Sequence, residues 1–409
     1  MSENPEDVEI TLPPQTAPAD LSFAMRAFAR TEDANRVAHK LASYIRLISS
    51  VINLERLDGV TVAYDYDTAL AELDRGVEGL RTLARSNDDQ LVGVAMPPAV
   101  LRDGEVKVHL VFSGAYIESI DATPEEDDAE AQSAMQRAIY LIAHECAHVQ
   151  VTTEKDEAFP GTILQKQVSS YEEQIFTQIN EACWDEYAAC RLSAPFGSGH
   201  LACYEEGLRG VVGVARQKAA ASRDGFWKHR DLNRIVGELG APMSEPLRMA
   251  AYTFGHIDGS NGDAEMSEET RQAIEEAGYT EAIEELVTQL RKLWDERGKW
   301  MFPSEFDVLG DVARDLFYEE GLLITPNGEG ANIQVWDPAV YDGPVAAQRP
   351  EKFRSPPARI RYSIVRSLLA SPRVSSVIAR TRVAAYSPLT LRQTMTCPSW
   401  GVRTREEKS

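Results

Sequence analysis

The sequence lacks the features that mark membrane and secreted proteins. Its 409 residues contain no apolar run of 18, so we expect no membrane-spanning helix. The first residues are acidic and include no apolar stretch, which argues against a secretory signal. The five cysteines are odd in number and include no CxxC pair, which fits a reducing compartment and argues against a structural zinc knuckle. We therefore expect a cytoplasmic protein.

Positive charge is scarce in most of the chain. The formal net charge is -22, although residues 349–409 carry 13 basic and only three acidic side chains. The local charge of +10 in that segment leaves -32 on residues 1–348. An acidic body disfavours non-specific binding of nucleic acid. It would suit a basic protein or peptide partner, but acidity can also serve solubility alone.

A stretch of small and apolar residues that favours a helix contains the pattern His-Glu-Cys-Ala-His at residues 144–148. On a helix, His144 and His148 lie one turn apart on one face and can bind the same metal ion. Glu145 projects beside them, where it can take a proton from a zinc-bound water. Cys146 points away from both histidines, and we interpret it as a packing residue. The alternative is that the histidines are packed or solvated on a helix without a metal.

This HExxH pattern is that of zinc metallopeptidases. The predicted order of two strands (91–96 and 106–112), the HExxH helix, a loop at 151–169 and a second helix from about Ser170 resembles the core of the zincin family. The resemblance covers residues 59–192 and implies one zinc ion per chain and peptidase activity. In that family an edge strand holds the substrate backbone. The strand at 106–112 would take this role, or it is an ordinary sheet edge.

Two glutamates on the second helix compete for the third metal position. The residues after HExxH do not match the metzincin pattern, whereas the gluzincin branch takes its third ligand from a glutamate on a later helix. Glu181 lies in a sequence that resembles the thermolysin-type NExxxD motif, in which Asp185 would orient His144 by a hydrogen bond. Glu186 lies in a sequence that resembles the ExxA pattern of small cytosolic gluzincins that cleave transcriptional repressors.

Helical phase favours Glu186. It falls on the apolar line that runs from Phe176 to Cys190, where a carboxylate is costly unless it is paired or bound to a metal. Glu181 lies on a more polar stripe and stays the alternative. The predicted zinc ligands are therefore His144, His148 and Glu186.

A residue that stabilises the oxyanion is less evident. Gluzincins usually add a histidine or tyrosine that donates to the developing charge. His256 is the first candidate, and Tyr252 and Tyr187 follow. A lone histidine at a helix end is otherwise a cap or a surface group. The predicted catalytic residues are Glu145 and His256.

The patterns predict an α+β, mostly helical chain in four parts. Residues 1–19 are polar, rich in proline and expected to be disordered, and residues 20–200 form the zincin-like domain. Residues 201–340 form a helical domain that ends in a hairpin about Asn327–Gly328, and residues 341–409 form a basic tail, also expected to be disordered. The individual elements are helices at 32–52, 68–84, 170–192, 203–221, 244–256, 267–277, 280–298 and 303–319, and strands at 59–64, 91–96, 106–112 and within 322–336.

The sequence thus predicts a zinc-dependent intracellular endopeptidase that acts on a protein or peptide substrate, with neither a membrane nor a nucleic acid as partner. The alternative belongs to another class: a helical binding or scaffold protein with a structural metal site or none. An intact Glu145 and only three protein ligands argue against it, because a structural zinc site is normally closed by a fourth.

Overall fold

A computed structural model describes residues 13–341, except 86–92, 123–124, 126, 167–168, 198 and 329, together with residues 375–377. The described part of the chain is 59% helical with a small sheet, which confirms the predicted α+β, mostly helical class. Within these ranges no helix is both long and apolar enough to cross a membrane.

A five-stranded sheet forms the N-terminal part. Strands β1 (Ser22–Arg26), β2 (Leu57–Ala63) and β5 (Glu105–Ser113) are parallel, in that order across the sheet. Strands β3 (Ala95–Met96) and β4 (Ala99–Arg102) both pair with the far side of β5 in the antiparallel direction. The turn at Asp103 and Gly104, where both residues have positive φ, folds β4 back onto β5. β5 is therefore an internal strand of the sheet.

Helices cover one face of this sheet. They are α1 (Thr31–Ile48), α3 (Gly114–Ile117) and α4 (Ala129–Ala158), and α5 (Tyr171–Ser193) packs along α4, whereas α2 (Tyr66–Ala71) packs against Val111 and Met96 on the opposite face. Alternate apolar residues of β2 and β5 meet α1 and α4 in one buried cluster, which includes Val60, Leu110, Leu41 and Ala147. The alternation arises because successive strand side chains point to opposite faces.

The rest of the described chain is helical and ends in a hairpin. Its elements are α6 (Leu201–His229), α7 (Leu232–Gly259), α8 (Glu268–Glu276), α9 (Thr280–Asp295), α10 (Asp307–Glu319), β6 (Leu322–Asn327) and β7 (Gly330–Val335). The hairpin lies where Asn327–Gly328 predicted it. A second buried cluster joins these elements to α4 and α5, with Tyr140, Cys183 and Tyr252 among its members. This cluster contains residues from both sides of the predicted domain boundary at residue 200. No further observation tests that boundary.

Caps fix the start of the two helices that matter most for the site. Asp128 accepts a hydrogen bond from the backbone N–H of Ala131 at the start of α4, and Ser170 accepts one from Glu173 at the start of α5. The sequence Ser-Tyr-Glu-Glu at residues 170–173 matches a capping box, but the box is only half formed, because the Glu173 carboxylate accepts from the N–H of Ser169 rather than from that of Ser170.

Several predicted boundaries are wrong. The helix predicted at 68–84 ends at Ala71, and Gly76 adopts a φ of +71° in the irregular segment that follows. The loop predicted from 151 begins only after Ala158, because α4 continues for another two turns. The helices predicted at 203–221 and 244–256 are longer, and α7 contains both Pro242 and Pro246.

The predicted disorder at the termini has a mixed outcome. Residues 1–12 lie outside the described ranges, but Thr16 is ordered by hydrogen bonds with Ser49 and Leu54 at the end of α1. Disorder up to residue 19 is therefore wrong for this stretch. Most of the tail also lies outside those ranges, except β8 (Ser375–Val377), which pairs antiparallel with β7.

Candidate metal centre

The two histidines and one glutamate converge at the contact between α4 and α5. His144 and His148 project from one face of α4, and Glu186 projects toward them from α5. The two Nε2 atoms lie 3.2 Å apart, and Oε2 of Glu186 lies 3.3 Å from that of His144 and 3.4 Å from that of His148. All three side chains are buried. These residues form a group that could hold a metal ion.

The spacing of the three atoms fits a tetrahedral ion. Zinc binds histidine nitrogen and carboxylate oxygen at about 2.0–2.2 Å, and tetrahedral geometry then separates neighbouring ligand atoms by about 3.3–3.5 Å. The three observed separations lie within about 0.1 Å of that range. Three protein donors leave one tetrahedral position for a water or a substrate atom. The group therefore has the donor set of an open metal site.

The hydrogen bonding of Glu186 also fits a role as a metal ligand. Its Oε2 atom is buried and makes no hydrogen bond within the described residues, although two ring nitrogens face it. A buried carboxylate oxygen left in this way is unfavourable. Burial would raise the pKa of Glu186, but the adjacent rings of His144 and His148 hold it well below its usual range. The site thus favours an ionised carboxylate, the form that binds metal.

His144 has both of its ring nitrogens engaged. Its Nε2 faces Glu186, and its Nδ1 lies 3.8 Å from Sγ of Cys190. Asp185 instead accepts a hydrogen bond from Nζ of Lys155 at 3.0 Å. The hydrogen bond that His144 would donate to Asp185, expected from the NExxxD motif, is not among the contacts of His144. Helix phase explains this, since α5 presents Cys190 rather than Asp185 at the level of His144.

Glu181 does not join the group. Its side chain is 41% exposed, and its nearest cation is Lys155, at 3.8 Å. Between the two candidates the geometry favours Glu186, which faces both histidines from the buried side of α5. The sequence had identified the decisive signal, a carboxylate on the apolar line of the helix.

Glu145 is fully buried on the HExxH helix next to His144. Its charge acts on Tyr66 of α2. Burial, and then the charge of Glu145, raise the pKa of the Tyr66 phenol well above its ordinary value. The hydroxyl of Tyr66 is buried and makes no hydrogen bond to any described residue. The guanidinium of Arg85 lies over the same ring, 4.8 Å from its centroid.

His256 belongs to a polar cluster beside the metal group. Its Nδ1 lies 3.1 Å from the hydroxyl of Tyr140, which also accepts from Tyr204 at 3.0 Å. Burial, and then the nearby charge of His144, lowers the pKa of His256 to about 4. None of the contacts described for His256 reaches Glu186 or His148, so its role as oxyanion donor stays an unsupported prediction.

The two tyrosines offered as alternatives differ in position. The Tyr187 hydroxyl donates to Asp258 at 2.7 Å and accepts from Arg191, away from the metal group. Tyr252 stacks on the ring of His144, with ring centroids 5.9 Å apart and planes inclined by 16°. Sequence analysis missed Tyr140 and Tyr204 altogether. The only signal was the position of Tyr140, one helical turn before His144.

The predicted substrate strand is also wrong. Residues 106–112 lie within β5, which is paired on both sides and offers no free edge. The sheet edge nearest to α4 is formed by β3 and β4, because the turn at 103–104 adds β4 outside β5. The outer side of β4 is itself contacted by Arg75, whose carbonyl accepts from the N–H of Leu101 at 2.8 Å.

Comparisons with protein-family models, curated proteins and solved structures gave no match for this chain. The resemblance to zincins therefore depends on the residues described above.

Proposed function

We propose that this protein is a zinc-dependent endopeptidase of gluzincin type. The observation that carries the proposal is the group of His144, His148 and Glu186, whose donor atoms have tetrahedral spacing, next to the glutamate of HExxH. Zinc is the metal that this nitrogen and oxygen donor set favours in a four-coordinate site. His256 is not included in the proposed machinery.

Glu145 would perform the proton transfers. A zinc ion held by the three ligands would polarise the scissile carbonyl and lower the pKa of a water in the open position. The carboxylate of Glu145 would accept the proton of the attacking water and then deliver it to the leaving amine nitrogen. Glu145 follows His144 directly on α4, so the helix itself holds this carboxylate beside the ligands.

The proposed substrate is a protein or peptide in an extended conformation. This class follows from the family resemblance and from the sheet edge at β3, the strand that contacts α4. The acidic charge of residues 1–348 would favour a basic partner over nucleic acid. We also propose a cytoplasmic location, since the free buried cysteines Cys146, Cys183 and Cys190 suit a reducing compartment.

One observation favours a second candidate, a non-catalytic protein with a structural metal site. His144 and Glu145 are 0% exposed, and His148 only 7%. Structural sites are closed in this way, whereas catalytic sites must admit a substrate. The group of three protein donors favours the enzyme, because a structural site would be expected to have a fourth protein ligand.

The metal is tested by measuring zinc per chain with elemental mass spectrometry. We expect about one zinc ion per chain in the wild type. The variants His148→Ala and Glu186→Gln should lose this ion, because each substitution removes a donor atom. Glu181→Gln is the matched control on the same helix and should retain the metal. Zinc that survives Glu186→Gln but not Glu181→Gln would reverse the ligand assignment, and a folded wild type without zinc affinity would refute the site.

The chemistry is tested by Glu145→Gln with casein and a mixed peptide library as substrates. We expect zinc to be retained and peptide hydrolysis to fall by at least 100-fold, since loss of a positioned general base typically costs 10²–10⁴. If the wild type binds zinc but cleaves no peptide, with or without Glu145, the structural candidate is favoured.

A further inference from the structure

Helix α7 brings one aromatic residue against two of the three proposed ligands. The ring of Tyr252 stacks on His144, with centroids 5.9 Å apart and an angle of 16° between the planes. Its hydroxyl also interacts with the carboxylate of Glu186. Burial, then the charge of Glu186 and, with a smaller effect, a hydrogen bond to that carboxylate raise the pKa of the phenol well above its ordinary value. Tyr252 is fully buried.

We propose that Tyr252 is a positioning residue that orients Glu186 and His144 for metal binding. The proposal rests on the metal-binding part of the proposed function and does not require peptidase activity. It assigns to α7, outside the HExxH and glutamate helices, a direct part in forming the site.

The first argument concerns the carboxylate. Oε2 of Glu186 faces the two histidines and makes no hydrogen bond within the described residues. A glutamate has three side-chain torsions, and nothing in its own helix fixes the last one. A hydroxyl that donates to the carboxylate holds its plane in the orientation that presents one oxygen to the histidines. Hydrogen bonds of this kind to metal-binding residues raise metal affinity by about 10- to 100-fold.

The second argument concerns the imidazole. Among the described residues, Nδ1 of His144 has one weak partner, Sγ of Cys190, at 3.8 Å. Histidine ligands are usually oriented by a stronger acceptor at this position, such as a carboxylate or a carbonyl oxygen. The stacked Tyr252 ring restricts rotation of the imidazole by packing and so compensates for the weak hydrogen bond.

The chain supplies a matched control in Tyr204. This tyrosine is also buried, stacks on Tyr252 with centroids 5.4 Å apart, and carries a bonded hydroxyl. Its hydroxyl, however, donates to Tyr140 at 3.0 Å rather than to a proposed ligand. The variants Tyr252→Phe and Tyr204→Phe each remove one buried oxygen from the same cluster, so they differ mainly in whether that oxygen contacts Glu186.

The experiment measures zinc affinity by competition with a chromophoric chelator at pH 7.5 for the wild type and both variants. We expect Tyr252→Phe to bind zinc about 10-fold more weakly or worse, and Tyr204→Phe to bind it as the wild type does. Cobalt(II) in place of zinc gives a second measurement. Its visible absorption should change in Tyr252→Phe, because the geometry of Glu186 changes, and stay the same in Tyr204→Phe.

Equal affinities and equal cobalt spectra for the two variants would overturn the proposal, even if one variant melts at a lower temperature. Weaker zinc binding in Tyr252→Phe alone supports it, whether or not the wild type cleaves peptides. A wild type that binds zinc normally, together with an unaffected Tyr252→Phe, removes this inference and leaves the proposed function intact.

Discussion

Glu186 and His256 are polar side chains with almost no solvent exposure, and the two avoid the cost of burial by different means. Glu186 stays ionised because two imidazoles face it, which lowers its pKa despite burial. His256 takes the opposite course, and burial keeps its ring neutral. Among the described residues, the atoms that could hold a cation together are therefore a carboxylate oxygen of Glu186 and the Nε2 atoms of His144 and His148.

The neutral histidines beside the site predict a pH dependence of stability. Burial lowers the pKa of His200 and of His256 to about 4, from an ordinary value of 6.5. As the pH falls below 6.5, the unfolded chain takes up these protons first, so the free energy of unfolding must decrease until about pH 4. Shifts of this size correspond to roughly 3 kcal/mol for each histidine. Urea unfolding between pH 7 and pH 4.5 measures the loss.

A variant separates the histidine contribution from that of the carboxylates. His200→Gln should show a smaller loss of stability between pH 7 and pH 4.5 than the wild type, because it has no ring to protonate. His39→Gln is the control, since His39 lies exposed on α1. An identical slope in His200→Gln and in the wild type would contradict the assignment of His200 as a buried neutral ring.

At the scale of the element, α5 and α7 approach each other through glycine. A Cβ atom on Gly255 would lie 2.4 Å from the carbonyl oxygen of Tyr187, and one on Gly259 would lie 2.2 Å from that of Arg191. These two glycines are four residues apart, so they form one face of α7. Close approach of the helix backbones at this face also sets the distance between Tyr252 and Glu186.

This contact predicts opposite effects for two glycine substitutions in α7. Gly255→Ala should destabilise the protein by about 1–3 kcal/mol, because the methyl group must push α7 away from α5. Gly237→Ala, in the same helix, meets nothing within 4 Å and should be neutral or stabilising by up to about 1 kcal/mol, from helix propensity alone. Thermal unfolding of both variants makes the comparison, and equal destabilisation would refute the close contact.

The elements predicted best are those whose position is determined by residues close together in the sequence. The helix period and the Ser170 cap located α5, and Asn327–Gly328 located the hairpin of β6 and β7. The errors arose where long-range packing decides. The helix predicted at 244–256 is only the second half of α7, which begins at Leu232, continues through Pro242 and is largely buried against its neighbours. The short strand β4 was likewise not predicted, because its four residues are defined by their pairing with β5 across the turn at 103–104.

The residues of the candidate site also divide into those that local sequence patterns predicted and those that depend on long-range packing. HExxH fixed the helix position of His144, Glu145 and His148, and the apolar phase of α5 favoured Glu186 over Glu181. Tyr252 was considered only as an oxyanion donor. Its contact with the ligands depends on the packing of α7 against α5, which no periodicity within either helix encodes.

At the scale of the whole molecule, α4 and α5 connect the two buried clusters. Ala147 of α4 and Ala189 of α5 belong to the cluster beneath the five-stranded sheet, whereas Tyr140 and Cys190 belong to the cluster of the C-terminal helices. The proposed ligands lie at this junction. A metal bound there would stabilise the folded arrangement of both clusters, because it ties the two helices that contribute to each.

This arrangement predicts that metal removal shifts the unfolding of the entire chain. A ligand that binds only the folded state stabilises it by about 4 kcal/mol at a thousand times its dissociation constant. Scanning calorimetry of the zinc-loaded protein should therefore show its transition move to lower temperature after EDTA treatment. Both clusters should be affected together, because α4 and α5 pack in each.

His148→Ala provides the control for this measurement. With one ligand removed, its transition should already lie near that of the EDTA-treated wild type and should not respond to EDTA. Two separate transitions, of which only one moves on chelation, would show instead that the clusters unfold independently and that the metal stabilises a single part. A shift in His148→Ala equal to that of the wild type would mean that the chelator acts elsewhere on the molecule.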